Sequence, residues 1–522
     1  MHLTTVIQFR NKRNGFGDLF PKYFTQELSL IHEKEVIMNT TSFDQVKDFI
    51  SDYSMIPVCK EIYSDVITPI TLLRKMEAFD KNFFLLESVE GEKRWARYSF
   101  IGYSPVLMVS CKNHKVKIKS GEVEHVVEKD GMDALRDLLN KYKSPKIQGL
   151  PTFTGGFVGY FSYEMISYAE PKLTIKENDI DDFQLMLFDK VYAFDHLKQK
   201  IIVIANMKAE DGLQGYNAAL LEIEKMISLI QDDFRPANTP SQGNVNFICN
   251  VSKDEYCNMV ERTKNYIKEG DIFQGVISRK FEAEYNSSLI NPYRVLRTTN
   301  PSPYMYYLQM DKIQIAGASP ETLVKMVDGK LTTFPVAGTR PRGNTYTEDV
   351  ELEKELLADE KELAEHNMLV DLARNDIGKI AKYGSVYVEE YMQIHRFSRV
   401  MHIASTVCGD IRDEFDACDA ISALLPAGTL SGAPKFRACE IIDELEKEPR
   451  GIYGGAIGYI DLSGNLDVCI AIRTAVKKDN KVTVQAGAGI VADSIPENEY
   501  MECAHKAGAV IDAIKKGSEV NN

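Results

Sequence analysis

Two pairs of glutamates lie on the sides of predicted helices that should face the protein interior. In DEKELAEHNMLVDLARNDIG, residues 359–378, Glu362 and Glu365 share one helical stripe with apolar side chains. Glu499 and Glu502 repeat this spacing in PENEYMECAHKAG. Four inward carboxylates are unfavourable unless a cation lies between them, and Mg²⁺ commonly uses one or two carboxylates plus a substrate oxygen. The spacing therefore suggests a magnesium site, although solvated helix faces with lysine partners are the alternative.

Four further segments place polar or charged residues beside glycines or in strand-like runs. IAGASPETLVK contains Glu321, TFPVAGTRPRG contains Ala337, Gly338, Thr339 and Arg340, SRVMHIASTVCGD contains His402, and CIAIRTA contains Arg473. Each has an ordinary structural reading as a turn residue, a core histidine or a structural ion pair. An arginine in so apolar a run must still meet an anion, because its guanidinium does not deprotonate.

The segment QAGAGIVA matches the GxGxxA pattern of a dinucleotide-binding turn, but its context argues against that function. DSIP follows where a helix should begin, and too few residues remain for the next strand and its ribose-binding acid. The glycines instead predict a place where a ligand lies against bare backbone.

Composition restricts the class of protein. The chain has 522 residues, 44% of them hydrophobic, and a formal charge of −14, which disfavours nucleic acid as a partner. Nine cysteines without a CxxC pair are typical of reduced thiols. No apolar run is long enough to span a membrane, and no signal pattern begins the chain. We therefore expect a soluble, cytoplasmic protein without a membrane partner.

The sequence predicts two lobes after an N-terminal extension. Residues 1–37 lack a helical or strand period, and Met38 is a plausible natural start. Strand-like runs dominate the lobe 38–245, which ends at the Pro- and Asn-rich stretch RPANTPSQGNVNF. The lobe 246–522 mixes strands and helices without regular βαβ alternation, which indicates an α+β fold.

Taken together and in order, a series of motifs resembles the chorismate-utilising enzymes, most closely the anthranilate synthase component I family. They are DIFQGVISRKF, NPSPYMYYLQM, GASPETLVK, FPVAGTRPRG, DEKELAEHNMLVDLARNDIG, VMHIASTV, PAGTLSGAPK, YGGAIGY, CIAIRTA and GAGIVADS with the trailing EYMEC. The resemblance runs from about residue 85 to the end. It implies a large mixed-topology sandwich of antiparallel sheets flanked by helices, with a regulatory lobe and a catalytic lobe intertwined.

The resemblance implies a lyase that aminates chorismate with ammonia and eliminates pyruvate to give anthranilate, the first committed step of tryptophan biosynthesis. Water-using members carry lysine where DIFQG has Gln274, and a neutral amide cannot activate water. Aminodeoxychorismate synthases typically carry lysine in PIKGT, whereas PVAGT has Ala337 here. Read through the resemblance, Gln274 and Ala337 therefore imply that ammonia attacks the chorismate ring directly. The alternatives are an aminodeoxychorismate synthase component I without its usual lysine and a non-catalytic tryptophan-binding regulator.

The resemblance also implies roles for the candidate site residues. Glu365 and Glu502 would ligate Mg²⁺ directly, with Glu362 and Glu499 on its waters, and Glu321 would protonate the departing ring hydroxyl. His402 would assist proton loss and pyruvate elimination, as base or as positioning group, and Arg473 and Tyr453 would bind the enolpyruvyl carboxylate. The remaining implied site residues are Gln274, Ala337, Gly338, Thr339, Thr429, Gly487, Ala488, Gly489 and Lys506.

Regulation and a partner are implied as well. LLES and NPSPYM resemble a tryptophan-feedback pocket, with Glu87, Ser88, Pro303, Met305, Tyr306 and Cys469 as contacts. No G-x-C-x-G nucleophile elbow occurs in the chain, although glutamine hydrolysis needs a cysteine nucleophile. We therefore expect a separate glutamine amidotransferase subunit, in a heterotetramer.

Substituting Ser88→Arg tests the feedback pocket. A long cation in a pocket shaped for an amino acid should exclude tryptophan, so inhibition is expected to weaken at least about tenfold, the effect of roughly 1.4 kcal/mol. The measurement is the tryptophan dependence of anthranilate formation, relative to each protein's own uninhibited rate. Unchanged inhibition would rule this pocket out.

Overall fold

Two antiparallel sheets, each of twelve strands within the part of the chain that the structure describes, organise the protein. The structure is a computed structural model, and it describes residues 40–88, 97–234, 242–396 and 400–520. The extension 1–37 lies outside these residues. The α+β prediction is confirmed by the sheets and the helices that cover them.

The strands are β1 (Met55–Tyr63), β2 (Asn82–Glu87), β3 (Tyr98–Tyr103), β4 (Leu107–Lys112), β5 (Lys115–Ser120), β6 (Val123–Val127), β7 (Gly156–Phe161), β8 (Phe183–Phe188), β9 (Lys190–Asp195), β10 (Lys200–Lys208), β11 (Ile248–Cys249), β12 (Gln274–Glu284), β13 (Tyr304–Met310), β14 (Ile313–Ser319), β15 (Thr322–Val327), β16 (Lys330–Thr333), β17 (Val336–Pro341), β18 (Tyr387–Arg396), β19 (Val400–Asp410), β20 (Gly432–Ala433), β21 (Ala456–Asp461), β22 (Leu466–Ile470), β23 (Thr474–Lys478) and β24 (Lys481–Ile490).

The helices are α1 (Phe43–Val46), α2 (Pro69–Phe79), α3 (Gly131–Lys141), α4 (Ile166–Ala169), α5 (Gly212–Gln231), α6 (Lys253–Glu269), α7 (Ile290–Thr299), α8 (Tyr346–Ala358), α9 (Glu360–Gly378), α10 (Ala417–Leu424), α11 (Lys435–Leu445) and α12 (Pro496–Lys516). Among the described residues, these helices include none with the length and apolar character needed to cross a membrane.

Each sheet takes strands from both sides of the boundary predicted near residue 245. The first sheet has the order β1-β10-β9-β3-β2-β13-β14-β23-β24-β12-β11, with β20 paired to β12. The second has the order β17-β19-β16-β15-β22-β21-β7-β8-β4-β5-β6, with β18 paired to β19. The division into two lobes therefore stays a prediction, because hydrogen-bonded ladders cross it in both sheets.

Aromatic rings from both sheets meet in the core. Phe84 of β2 lies edge-on to Phe188 of β8, with ring centroids 4.8 Å apart. Phe153 contacts Phe84 and also Tyr459 of β21, at 6.1 and 4.6 Å. Buried aromatic pairs of this kind add to the stabilisation from apolar burial and hold the two sheets face to face.

The helices that carry the acidic pairs begin at the predicted signals. Asp359 caps α9, because its carboxylate accepts hydrogen bonds from the backbone N–H groups of Lys361 and Glu362. Pro496 occupies the first turn of α12, where its missing N–H costs nothing. Both helices, predicted over 359–378 and from about residue 497, are confirmed.

A buried ion pair between Glu446 and Arg450 joins several elements. The Arg450 guanidinium donates to Glu446 at 2.5 and 2.9 Å, to the Leu430 carbonyl at 2.6 Å and to the Val276 carbonyl at 2.7 Å. Glu446 also accepts from the Ser278 backbone N–H at 2.7 Å. Both charged side chains are less than 10% exposed (2% and 7%), so each depends on the other for compensation.

Replacing Glu446 alone by leucine should destabilise the protein by about 3–5 kcal/mol, because Arg450 is left buried without its carboxylate. The double variant Glu446→Leu/Arg450→Met should recover most of that loss, because no buried charge remains. Denaturant unfolding followed by circular dichroism measures both. A double variant as unstable as the single one would contradict the charge argument.

Candidate active site

A cavity of about 560 Å³ is lined by residues of β12 and β24 and by residues of the helices α9 and α12. Most of the predicted catalytic, substrate-binding and metal-binding residues line it: Gln274, Glu321, Ala337, Thr339, Glu365, His402, Thr429, Tyr453, Arg473, Gly487, Gly489, Glu499, Glu502 and Lys506. Side chains that are far apart in the sequence therefore share one space.

Three predicted residues lie beside the cavity rather than on its lining. Gly338 presents its carbonyl to His402, at 3.0 Å from Nδ1. Glu362 pairs with Arg340, with 3.5 Å between Oε1 and Nη1. The side chain of Ala488 is fully buried and packs in an apolar cluster beneath the strand, on the face opposite its glycine neighbours.

Glu321 is placed to exchange a proton. It follows β14 and accepts a hydrogen bond from the Thr429 hydroxyl, with 2.8 Å between the oxygens. Burial raises the pKa of Glu321 to about 7, while the Thr429 hydrogen bond and the charges of Lys506 and Arg473 act in the opposite direction. A carboxyl with this pKa is substantially protonated at neutral pH and can act as a general acid.

His402 lies on β19 with its ring orientation fixed. Nδ1 is 3.0 Å from both the Gly338 carbonyl oxygen and the Thr339 hydroxyl. Because a carbonyl only accepts, we assign the proton to Nδ1 and the basic lone pair to Nε2. Burial lowers the pKa of His402, and the nearby charge of Arg473 lowers it further, so the neutral ring is favoured.

Arg473 and Tyr453 supply a cation and a hydroxyl to the same cavity. Burial lowers the pKa of Arg473, although Glu321 opposes that effect. The backbone of Arg473 has φ of +50°, a left-handed conformation that costs a non-glycine residue on the order of 1 kcal/mol or more. Burial also raises the pKa of Tyr453, which therefore stays a neutral hydrogen-bond donor.

The acids of α9 and α12 influence one another across the cavity. The pKa of Glu365 is raised by burial and by the negative charges of Glu362 and Glu502. The pKa of Glu499 is raised by burial and by Glu502, which forms a 2.7 Å ion pair with Lys506. As they stand, no three His, Cys, Asp or Glu side chains in the described part of the chain are arranged to hold a metal ion. Glu365, Glu499 and Glu502 line the same cavity without forming a complete set of metal ligands.

Bare backbone forms the floor of the cavity, as the glycine-rich strand predicts. A Cβ atom on Gly489 would lie 2.6 Å from Nε2 of Gln274, and one on Gly487 would lie 2.9 Å from the Tyr453 hydroxyl. Both contacts are too close for a carbon atom. The ammonium group of Lys506 donates to the Gly487 carbonyl at 3.1 Å.

Sequence reasoning missed six polar residues of the lining: Thr299, Asn300, Ser302, Lys361, Gln485 and Ser494. Lys361 opposes the rise in the pKa of Glu365, but it lies in a charged run where no pattern distinguishes it. Gln485 could have been found, because it alternates with the two floor glycines along β24. Its amide donates to the Ser278 hydroxyl at 2.8 Å.

The residues predicted to bind tryptophan lie on both faces of the first sheet. Glu87 is paired with Met305 across the β2–β13 ladder, and it bonds to Arg297 of α7 on the helix-covered face. The adjacent residue, Tyr306, points to the other face and bonds to the Thr474 hydroxyl at 2.6 Å.

Burial is the main cause of the raised pKa of Tyr306, and the proximity of Cys469 of β22 is the second, so these two side chains are neighbours between the sheets. Pro303 lines the main cavity, and Ser88 follows β2 directly. Sequence reasoning did not single out Tyr304, which precedes Met305. Its hydroxyl donates a hydrogen bond to Asp467 of the second sheet at 2.8 Å.

Comparison with known proteins defines the class. Residues 81–512 match the family described as chorismate binding enzyme. This match covers far more than half of the chain, so the chain belongs to that family, and the resemblance found in the sequence is confirmed.

Particular relatives share this architecture. The chain is 46% identical to anthranilate synthase component 1 of Acetivibrio thermocellus over 92% of its own length and 99% of that protein. The crystal structure of anthranilate synthase component I from Streptococcus pneumoniae matches with a TM-score of 0.73 and 38% identity, over 86% of this chain and 98% of that one. A menaquinone-specific isochorismate synthase of Escherichia coli, 18% identical, shares the fold with a TM-score of 0.66, over 91% of this chain and 98% of that one.

The raised pKa of Glu321 predicts a measurable stability change. Between its unfolded value and about 7, the folded chain binds more protons than the unfolded chain, so stability falls as pH rises through this window. Glu321→Gln removes that loss and should stabilise the protein by about 2–3 kcal/mol at about pH 8, and much less at about pH 5. Unfolding midpoints against pH measure this, with the exposed Glu122→Gln as control. Parallel profiles for the wild type and the Glu321 variant would contradict it.

Proposed function

We propose that this chain aminates chorismate with ammonia and eliminates pyruvate to form anthranilate. The observation that carries the proposal is that Glu321, with a pKa near 7, shares one cavity with three acids and the half-buried cation Arg473. A proton donor, an anion-binding cation and clustered carboxylates are the groups that this reaction requires. The relatives named anthranilate synthase component 1 support the same activity.

Loss of the ring hydroxyl is the first step. Glu321 in its protonated form donates to the departing oxygen, so that water leaves rather than hydroxide. The carboxylate that remains keeps its hydrogen bond from Thr429. A hydrogen bond to the charged form stabilises the product of proton transfer, which lowers the barrier to the step.

As the hydroxyl leaves, ammonia adds to the ring carbon between the one that bears the carboxylate and the one that bears the enolpyruvyl ether. The ring double bonds shift toward the carbon that lost the hydroxyl, and the added nitrogen releases a proton to solvent, which gives aminodeoxyisochorismate. Gln274 lines this part of the cavity and is a neutral amide, which cannot deprotonate water. Ala337 also lines the cavity and offers only a methyl group, so no side chain at that position can attack the ring. Ammonia needs neither a base to activate it nor a side chain that attacks the ring first, because it already carries a nucleophilic lone pair.

Elimination of pyruvate completes the reaction. His402, neutral and with its lone pair on Nε2, accepts the proton that the aminated carbon loses. The electrons of that C–H bond complete the aromatic ring, the C–O bond breaks, and the enolpyruvyl oxygen leaves as pyruvate after protonation. Arg473 and Tyr453 bind the enolpyruvyl carboxylate and orient it for this step.

The acids of α9 and α12 fit a magnesium ion. The pKa values of Glu365 and Glu499 are raised by burial and by the charges of neighbouring acids, a situation that a divalent cation relieves, and all four side chains offer oxygen donors. Glu365 and Glu502 would hold Mg²⁺ directly, and Glu362 and Glu499 would bond to its waters. When bound, the ion supplies positive charge for the ring carboxylate of chorismate.

Regulation and ammonia supply complete the proposal. Tryptophan would act as feedback inhibitor through the pocket that includes Ser88, Met305 and Tyr306. Ammonia would come from a glutamine amidotransferase subunit in a heterotetramer, which agrees with the component 1 names of the relatives.

The test is to incubate the pure chain with chorismate, MgCl₂ and an ammonium salt. Anthranilate fluorescence and an equal amount of pyruvate are expected, and both should disappear with EDTA and return with excess Mg²⁺. Glu321→Gln should lower kcat by about 10²–10⁴-fold, the usual contribution of a general acid, whereas the exposed Glu122→Gln should not.

Three results would contradict this proposal. An amino product without pyruvate would favour an aminodeoxychorismate synthase. Tryptophan binding without turnover would favour a regulator, and turnover that is unaffected by EDTA would remove the metal from the mechanism.

A further inference from the structure

A second cavity, of about 450 Å³, continues the face of the β12–β24 ladder beyond the candidate active site. Gln485 and Tyr453 line both cavities. Lys280 lies directly opposite Gln485 in the ladder, and Glu282 lies opposite Thr483, one step further along the same face. The two cavities are therefore consecutive stretches of one strand surface.

Shared and adjacent residues form the partition between the two cavities. Arg473 lines the first, and the next residue in the chain, Thr474, lines the second. The rest of the partition is formed by the side chains of Tyr453 and Gln485. The Gln485 amide is tethered to Ser278, so motion at this point means rotation of the tyrosine or of a single amide.

We infer that the second cavity is the route by which the small monocarboxylate product, pyruvate, leaves. This inference rests on the proposed function. Arg473 and Tyr453 would hold the enolpyruvyl carboxylate at the partition, so cleavage of the C–O bond releases pyruvate there. The larger aromatic product still occupies the first cavity at that moment. The second cavity gives the smaller product a path that does not cross the larger one.

The charges along the second cavity suit passage rather than retention. Lys280 is the first cation beyond Gln485, and its ammonium group is 3.1 Å from both Glu448 and the Pro449 carbonyl. Lys481 pairs with Glu282 at 2.6 Å. Cations that are already neutralised attract a monocarboxylate weakly, so it is not trapped on the way out.

The experiment places a bulky side chain in the second cavity and compares the rate of pyruvate release with the rate of anthranilate formation. Thr483→Trp and Val476→Trp each fill the cavity on a different strand, away from the substrate groups. In single turnovers, anthranilate fluorescence should rise at the wild-type rate. Pyruvate detected by lactate dehydrogenase should lag, and kcat should fall at least about fivefold, because product release becomes limiting. Val126→Trp, at an exposed position of β6 in the second sheet, is the matched control.

Each other outcome overturns the route. Pyruvate that appears together with anthranilate in both variants would show that it leaves through the first cavity. A higher KM for ammonium with unchanged kcat would show that the second cavity admits ammonia instead. Slowed anthranilate formation in both single-turnover experiments would show that the cavity supports the site rather than release. A wild-type chain that makes neither product would instead overturn the proposed function.

Discussion

The buried ion pair between Glu446 and Arg450 fixes the parts of the site relative to one another. Arg450 holds the carbonyl of Leu430, next to the threonine that bonds to Glu321, and Glu446 holds Ser278 on β12. Ser278 in turn accepts a hydrogen bond from Gln485 on the partner strand. Because neither charge can move without leaving the other uncompensated in a low-dielectric interior, the strand ladder and the proton-donating residue keep one geometry.

The site works against the charge of the whole chain. The formal charge is −14, yet the ligand proposed for the cavity is a dianion. Local cations resolve the conflict: Arg473, Lys361 and Lys506 all line the cavity. Short distances to the ligand make these charges count for more than distant surface acids, which solvent and salt screen. The carboxylates of the same two helices, α9 and α12, add to the negative field unless a cation lies between them, so the proposed metal and the proposed substrate depend on each other.

Local patterns in the sequence predicted the helices and the glycine floor, because both arise from neighbours in the chain. The period of the acidic stripe predicted α9, and the glycines of QAGAGIVA predicted the bare backbone. The cap at Asp359 and the alternation along β24 are findings of the structure. The order of strands could not be predicted in this way. The pairing of β2 with β13 joins segments more than two hundred residues apart, and nothing in either segment specifies its partner. Arg450 was missed for the same reason, since its partners come together only through tertiary structure.

Packing on the far side of the ladder fixes the orientation of α12, the helix in which Glu499 is half-buried and Glu502 is exposed. Arg279 of β12 is 2% exposed, and its guanidinium lies 3.7 Å from the ring centroid of Tyr500 and donates to the Tyr500 carbonyl at 2.7 Å. Tyr500 lies between Glu499 and Glu502 in α12. Cys503 and Val510 of the same helix are buried against the sheet. The apolar face and the stacked guanidinium set the rotation of α12 about its axis. Because one face of the helix is fixed, the directions of Glu499 and Glu502 are fixed as well. The free energy gained by burying the apolar face of α12 therefore offsets the repulsion between the acids.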